Sequence, residues 1–361
     1  MSKRMAIVDQ GHEVMARCSV LIFAFLCATA APGVVSTAAA QNRASDAEWE
    51  IPRTPAGHPD LQGTWTNQSM TPTQRRGDQG PVYTPEEVAE IEQRYVDREV
   101  SGAQASDPDR PPPEPKTTIS VADSYNDVYF QRGNGVAVVY GEPRASLITV
   151  PSNGRIPALT PEAQARRAES RESRSQFGQY DHPELRPLAE RCLTSYGSPA
   201  GPPMLPTGLY NSNYIIVQTP DHVMIMTEMV HDTRIIRIGD GPRLPPHIRP
   251  WMGDSWGHWE GDVLVVETTN IHPLQPYSSA EMKVTERFSR MSEDAILYEF
   301  RVDDPSTYTE PWGGQIPMMA MHDQIYEYAC QEGNYALSAV LSGARYQERM
   351  EAQGSSDSRR D

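Results

Sequence analysis

The chain has 361 residues, with 32 Lys and Arg against 48 Asp and Glu, a net charge of −16. That balance argues against nucleic acid or anionic lipid as the main partner, because their phosphates would be repelled. Beyond the first 40 residues no apolar run approaches the roughly 20 residues that span a bilayer as a helix, so no membrane insertion is expected.

Residues 1–40 come first. Lys3, Arg4 and Arg17 precede an apolar run from Ser19 to Ala31, and small residues follow to Ala38-Ala39-Ala40. A basic region, an apolar core and A-x-A form the order of a secretory signal peptide. Cleavage near Ala40 and a periplasmic or secreted product are expected. Removing 40 of the 361 residues leaves 321. The signal carries three basic and two acidic residues, so the mature chain is near −17. Cys18 and Cys27 leave with the signal. Cys192 and Cys330 remain, 138 residues apart. In an oxidising compartment two cysteines suggest one bridge. No C-x-x-C spacing points to metal or redox chemistry.

Residues 41–118 read as a flexible, proline-rich arm with one strand and one helix. Leu61 to Thr66 forms the strand. Thr84-Pro85-Glu86-Glu87 opens the helix, with Thr as N-cap, Pro at the first position and acids in the first turn, and it should run to about Val100. The run Pro111-Pro112-Pro113-Glu114-Pro115 cannot join a ladder and belongs on the surface.

Residues 119–346 carry the main domain. Ala145 to Val150 is a strand, followed by a Pro151-Ser152-Asn153-Gly154 turn. Thr160-Pro161-Glu162 opens a second helix to about Ser175, charged on every face and so solvated. From 211 onward short β-branched and aromatic runs alternate with tight turns such as Glu260-Gly261-Asp262 and Ser292-Glu293-Asp294. That is the pattern of an antiparallel meander, with no helical crossover for a parallel sheet. The expected fold is mainly β: an antiparallel meander forming a lipocalin-like barrel or curved sheet, with two peripheral helices. Gly63-x-Trp65 on a first strand resembles the start of lipocalin-like barrels and favours barrel over sandwich. Residues 347–361 are expected to be a disordered tail.

Several stretches between about 120 and 345 resemble a family of exported bacterial proteins. They are Gly154 to Thr160, His231-Asp232-Thr233-Arg234-Ile235-Ile236, Trp251 to Ser255, Trp259 to Asn270, Val302-Asp303-Asp304-Pro305, and Tyr326-Glu327-Tyr328-Ala329-Cys330. The resemblance implies export and brings no particular reaction. His258 stands where that family usually has Arg. A His usual in the preceding loop is absent from Gly241-Pro242-Arg243-Leu244. A metal site on either position is therefore not implied.

The polar cluster Glu228, His231, Asp232 and Arg234 is the first candidate site. On a continuous strand, Glu228, Asp232 and Arg234 share a face with Met224 and Met226, opposite His231. If Val230-His231-Asp232 is a tight turn, all four crowd one rim. There His231, Asp232, Arg234 and Glu267 could act as acid, base and anion clamp, or as a structural salt-bridge cluster. Glu267 lies mid-strand between apolar neighbours. On an inward face it would need a partner, with Arg234 or Arg287 as candidates. Asn270 could bond a ligand or close a turn. Trp256, Trp259 and the methionines could line a flat apolar site or simply pack. Gly253-Asp254-Ser255-Trp256-Gly257 fits G-x-S-x-G but lacks the strand–turn–helix context of a nucleophile elbow. The histidines are scattered, no phosphate loop or nucleotide fingerprint occurs, and no metal or cofactor is expected.

Three functions follow. The first is an exported small-molecule-binding barrel for an apolar or amphiphilic metabolite. The second is a cofactor-free acid/base enzyme, a lyase, isomerase or hydratase. The third is an envelope interaction protein. An apolar cavity favours the first, a closed polar cluster in a pocket the second, and a filled interior the third.

Overall fold

A computed structural model describes residues 49–361 except 103, 106–108, 110–130, 132, 134, 197–200, 207–209, 276, 278 and 358–361. The signal peptide expected over 1–40 and the proline run at 111–115 lie outside the described residues.

The strands in chain order are β1 (Gly63–Thr66), β2 (Val138–Val139), β3 (Glu142–Pro143), β4 (Ile148–Val150), β5 (Asn213–Gln218), β6 (His222–Thr227), β7 (Thr233–Ile238), β8 (Asp254–Glu260), β9 (Val263–Thr269), β10 (Lys283–Ser292), β11 (Ala295–Asp303) and β12 (Trp312–Ala320). Three helices accompany them: α1 (Pro85–Gly102), α2 (Pro161–Ser175) and α3 (Ala336–Asp357). Both expected helix starts are built as the sequence dictates. Thr84 Oγ1 accepts from the Glu87 amide at 3.2 Å, while Glu87 Oε2 accepts from the Thr84 amide at 2.8 Å, a reciprocal capping box. Thr160 Oγ1 accepts from the Ala163 amide at 3.1 Å. The third helix is a correction. It runs through residues expected to be a disordered tail as far as Asp357.

Nine strands close into a barrel in the order β1-β5-β6-β7-β8-β9-β10-β11-β12, with β12 pairing back onto β1, and β4 adds to β12 outside the ring. The strand that closes the ring is β1, from the stretch read as a flexible arm. It joins Trp65 to Tyr214 of β5 and to Ala320 of β12.

The meander is antiparallel with one exception. β7 and β8 run parallel, pairing Ile236 with Ser255 and Ile238 with Gly257. A closed ring of nine cannot alternate direction all the way round, so at least one pair must be parallel. The chain returns along the barrel through residues 239–253, a crossover of the length parallel strands require but built from prolines rather than a helix. Absence of helical pattern there hid the crossover from sequence reasoning.

The lumen is packed. Alternate residues of each strand point inward, among them Tyr214, Ile216, Val223, Ile225, Ile236, Leu264, Val266, Phe288, Tyr298 and Trp312, in one buried cluster. Met204 and Leu205 join that cluster from the connection before β5. The Met204 amide donates to Tyr298 Oη at 2.9 Å and its carbonyl accepts from Asn67 Nδ2 at 3.1 Å, so residues 201–205 act as a plug. At roughly 25 cal/mol per Å² of apolar surface removed from water, this cluster is the main stabiliser of the fold. Cys192 and Cys330 stand at disulfide distance, Cα atoms 5.7 Å apart, tying the segment before the plug to the chain after β12.

Candidate functional site

The structure separates the residues that sequence reasoning grouped. Residues Met229–His231 form a tight 3-10 turn between β6 and β7, so the strand is not continuous. The four residues nevertheless do not share one rim. Glu228 is buried at the β5–β6 side, where Asn211 and Asn213 donate to its two oxygens at 2.8 and 2.6 Å. His231 is exposed and Asp232 half-buried. Arg234 points into the lumen.

There Arg234 meets a residue not singled out from the sequence. Its guanidinium donates twice to Glu286 of β10, at 2.6 and 2.9 Å, with both side chains buried. Tyr298 Oη donates to the same carboxylate at 2.9 Å. Burial opposes the charge on Arg234, and the Glu286 carboxylate more than restores it. The Tyr298 phenol is held far above its usual range by burial and by the adjacent carboxylate. Tyr214 is likewise raised by burial. This bidentate pair neutralises its own charges, leaves Arg234 Nε without a partner among the described residues, and is a structural pin inside the core.

Glu267 is a correction of face. On β9 the inward residues are Leu264, Val266 and Thr268, so Glu267 points outward, at 3.1 Å from Lys283 and 3.4 Å from Arg243. A shift of one residue moves every side chain to the other face, and the apolar outer residues Val263 and Val265 concealed the true parity. Glu286 carried the signal that Glu267 only imitated: it alternates with Val284 and Phe288, both buried.

The aromatic candidates are also split. Trp256 faces outward beneath the guanidinium of Arg237, 4.2 Å from its ring centroid. Trp259 takes the opposite face and stacks on His58 at 4.7 Å. Arg287 pairs on the outside with Glu260 at 2.9 Å, and His258 meets the same carboxylate at 3.2 Å. Asn270 adopts a left-handed conformation (φ 53°) and donates to the Leu244 carbonyl at 2.7 Å, holding the crossover loop. Ser255 sits within β8 and is bonded to Thr268 at 2.8 Å, with no elbow around it. Among the described residues no three His, Cys, Asp or Glu gather in a group able to hold a metal ion.

Two surface concavities carry unusual chemistry. One, about 560 Å³, is lined by Cys192, Val230, His231, Asp232, Arg234 and Trp251. Val230 (φ 62°) and His231 (φ 45°) are consecutive left-handed residues beside it, a costly conformation for a β-branched side chain. Burial pushes the Asp232 carboxyl up to about 6, against the opposing charge of His231. Trp251 leans on His272, with ring centroids 4.0 Å apart.

The other groove, also about 560 Å³, was missed from the sequence. Its floor is the outer face of three strands: Thr66 of β1, Ala295 of β11, and Pro317 and Met319 of β12. Its wall is a strap containing Gly133, Gly135, Val136, Ala137, Val138 and Tyr140. The strap is bonded to residues 68–71: the Gly135 carbonyl accepts from the Met70 amide at 2.8 Å, and the Ala137 amide donates to Thr71 Oγ1 at 2.9 Å. Gly133 has φ 82° and lies so close to Ser69 that a Cβ would stand 2.6 Å from the Ser69 Cα, so glycine is required. Within this mostly apolar groove Gln68 is 6% exposed, yet neither its Oε1 nor its Nε2 has a hydrogen-bond partner among the described residues. The Ser69 hydroxyl and Gln131 Oε1 also line this groove as buried atoms without a partner among the described residues.

No family model matches the chain, and no match is found among the curated proteins or the solved structures.

Proposed function

We propose that this protein is an exported binder of a small apolar or amphiphilic molecule, held in the outer groove over β1, β11 and β12 rather than in the barrel lumen. The observation that carries the reading is the Gln68 amide, buried in a mostly apolar groove without a partner among the described residues. A buried polar group without a partner costs about 1–3 kcal/mol, and a ligand that supplies the partner removes that cost. An apolar concavity of several hundred Å³ with a few convergent polar groups is the usual form of a small-molecule site. The packed lumen, taken alone, favours an interaction protein; the enclosed groove with its unpaired amide favours a small ligand over a protein surface. The signal-like order of residues 1–40 and the Cys192–Cys330 pair support export.

Native mass spectrometry of the protein from its own periplasm tests this reading. A stoichiometric extra mass that Met319→Trp abolishes is the expected result, because the indole fills the groove. A mass equal to the bare chain, together with no uptake of a neutral amphiphile such as decanol, overturns it.

A second reading, a cofactor-free acid/base enzyme, draws support from Asp232. Its raised pKa, its groove and the strained Val230-His231 backbone are traits of sites that move protons. Carboxyl NMR tests the reading: it requires a midpoint near 6 for Asp232, and a midpoint near 4 removes it.

A further inference from the structure

Ser69 lines the apolar groove and also a second concavity of about 390 Å³. Three arginines surround this second space: Arg76 from the loop before α1, and Arg94 and Arg98 one turn apart on the helix. Tyr95 and Ile91 of the same helix, with Met70 and Pro206, complete its walls. No carboxylate lines it among the described residues. None of the three guanidinium groups forms an ion pair with a carboxylate among the described residues. Three guanidinium groups facing one space that no carboxylate lines are unexpected in a chain of net charge −16, on a helix that carries Glu86, Glu87, Glu90, Glu92 and Asp97. Arg94 and Arg98 at i and i+4 repel each other, a cost that Glu90, four residues before Arg94 on the same helix, offsets in part. Arginine forks match carboxylate, phosphate and sulfate oxygens, and an anion between them would relieve the repulsion.

We propose that the ligand is an anionic amphiphile. Its apolar body lies on Ala295, Pro317 and Met319, and its carboxylate, phosphate or sulfate lies between Arg76, Arg94 and Arg98. Ser69 is the residue that the two concavities share, and Gln68 lines the apolar one. The inference rests on the groove reading above and adds the charge of the ligand to it.

Calorimetric titration of the mature protein with decanoate and with decanol separates the two claims, since the probes share a tail and differ in charge. Decanoate is expected to bind at least about tenfold more tightly, as charge-assisted hydrogen bonds are the stronger kind. Arg94→Gln with Arg98→Gln should bring decanoate down to the level of decanol and leave decanol unchanged. Both side chains are exposed, and a thermal melt of the double variant at the parent temperature confirms that it is folded. Inorganic phosphate should compete with decanoate and not with decanol. Equal affinity for the two probes overturns the anion clamp while the groove stands. Phosphate binding with no contribution from the tail also overturns the amphiphile. Failure of both probes to bind removes the groove reading and this inference with it.

Discussion

The lumen and the outer wall of this barrel both bury polar side chains, and they treat them in opposite ways. In the lumen, Arg234, Glu286 and Tyr298 close on one another, with two guanidinium bonds and a phenol bond onto one carboxylate. On the outer wall, the Gln68 amide and Ser69 hydroxyl are as deeply covered but have no partner among the described residues. A network whose charged groups meet one another specifies a fold, and here only Arg234 Nε is left without a partner among the described residues. An unsatisfied one leaves capacity for a further molecule. Burial of polar groups therefore does not by itself mark a site.

The largest test of this contrast is Glu286→Ala. It strands a buried guanidinium and should cost about 3–5 kcal/mol in denaturant unfolding. Replacing both partners, Arg234→Met with Glu286→Leu, should recover most of that loss, since an apolar pair suits the surrounding core. If Glu286→Ala is nearly neutral, the pair is not the pin described here. Next, Cys330→Ser should cost about 2–4 kcal/mol if the cysteines are bridged, because the bridge closes a long loop. No change in midpoint, with two titratable thiols in the parent, counts against the bond.

Asp232 gives a smaller, pH-dependent effect. Its folded pKa of about 6 lies above the ordinary aspartate value, so the folded protein holds this proton more tightly than the unfolded chain. Stability contributed by this group is full at low pH and falls as pH rises between about 4 and 6. Asp232→Asn should thus be more stable than the parent above pH 6, by at most about 2 kcal/mol after allowing for partial exposure, and equal to it below about pH 4. A gain that persists at pH 3 contradicts the assignment. The smallest stability effect belongs to Gln68→Leu. It removes two unsatisfied atoms and should be neutral or stabilising by up to about 1 kcal/mol in the ligand-free protein, while weakening ligand binding about tenfold. Destabilisation by this change would mean that the amide is already satisfied.

The strands, turns and first two helices were legible because their signals are local. Thr84 and Thr160 announce helix starts through a side chain that reaches only three residues along the chain. The β9–β10–β11 hairpins follow from alternation and tight turns. The pairing of Cys192 with Cys330 was legible from compartment and count alone. The site was legible only in part. His231, Asp232 and Arg234 do line one concavity, but the Arg234 guanidinium is spent on Glu286 in the core, and Glu267, Trp256 and Arg287 face outward.

Composition, periodicity and turn chemistry by themselves determined the mainly β class, the two capped helices and the candidacy of one cysteine pair. All are properties of the residue itself or of neighbours within a few positions. Tertiary structure alone decided that the ring has nine strands, that β1 closes it and that β7 and β8 run parallel. It alone assigned Glu286 rather than Glu267 to Arg234, and laid Gly133 and residues 135–141 over the outer wall, where Gln68 is buried without a partner among the described residues. Each of these depends on which distant segments meet and on which face of a strand is covered. A period-two pattern leaves that parity undetermined when both faces are apolar.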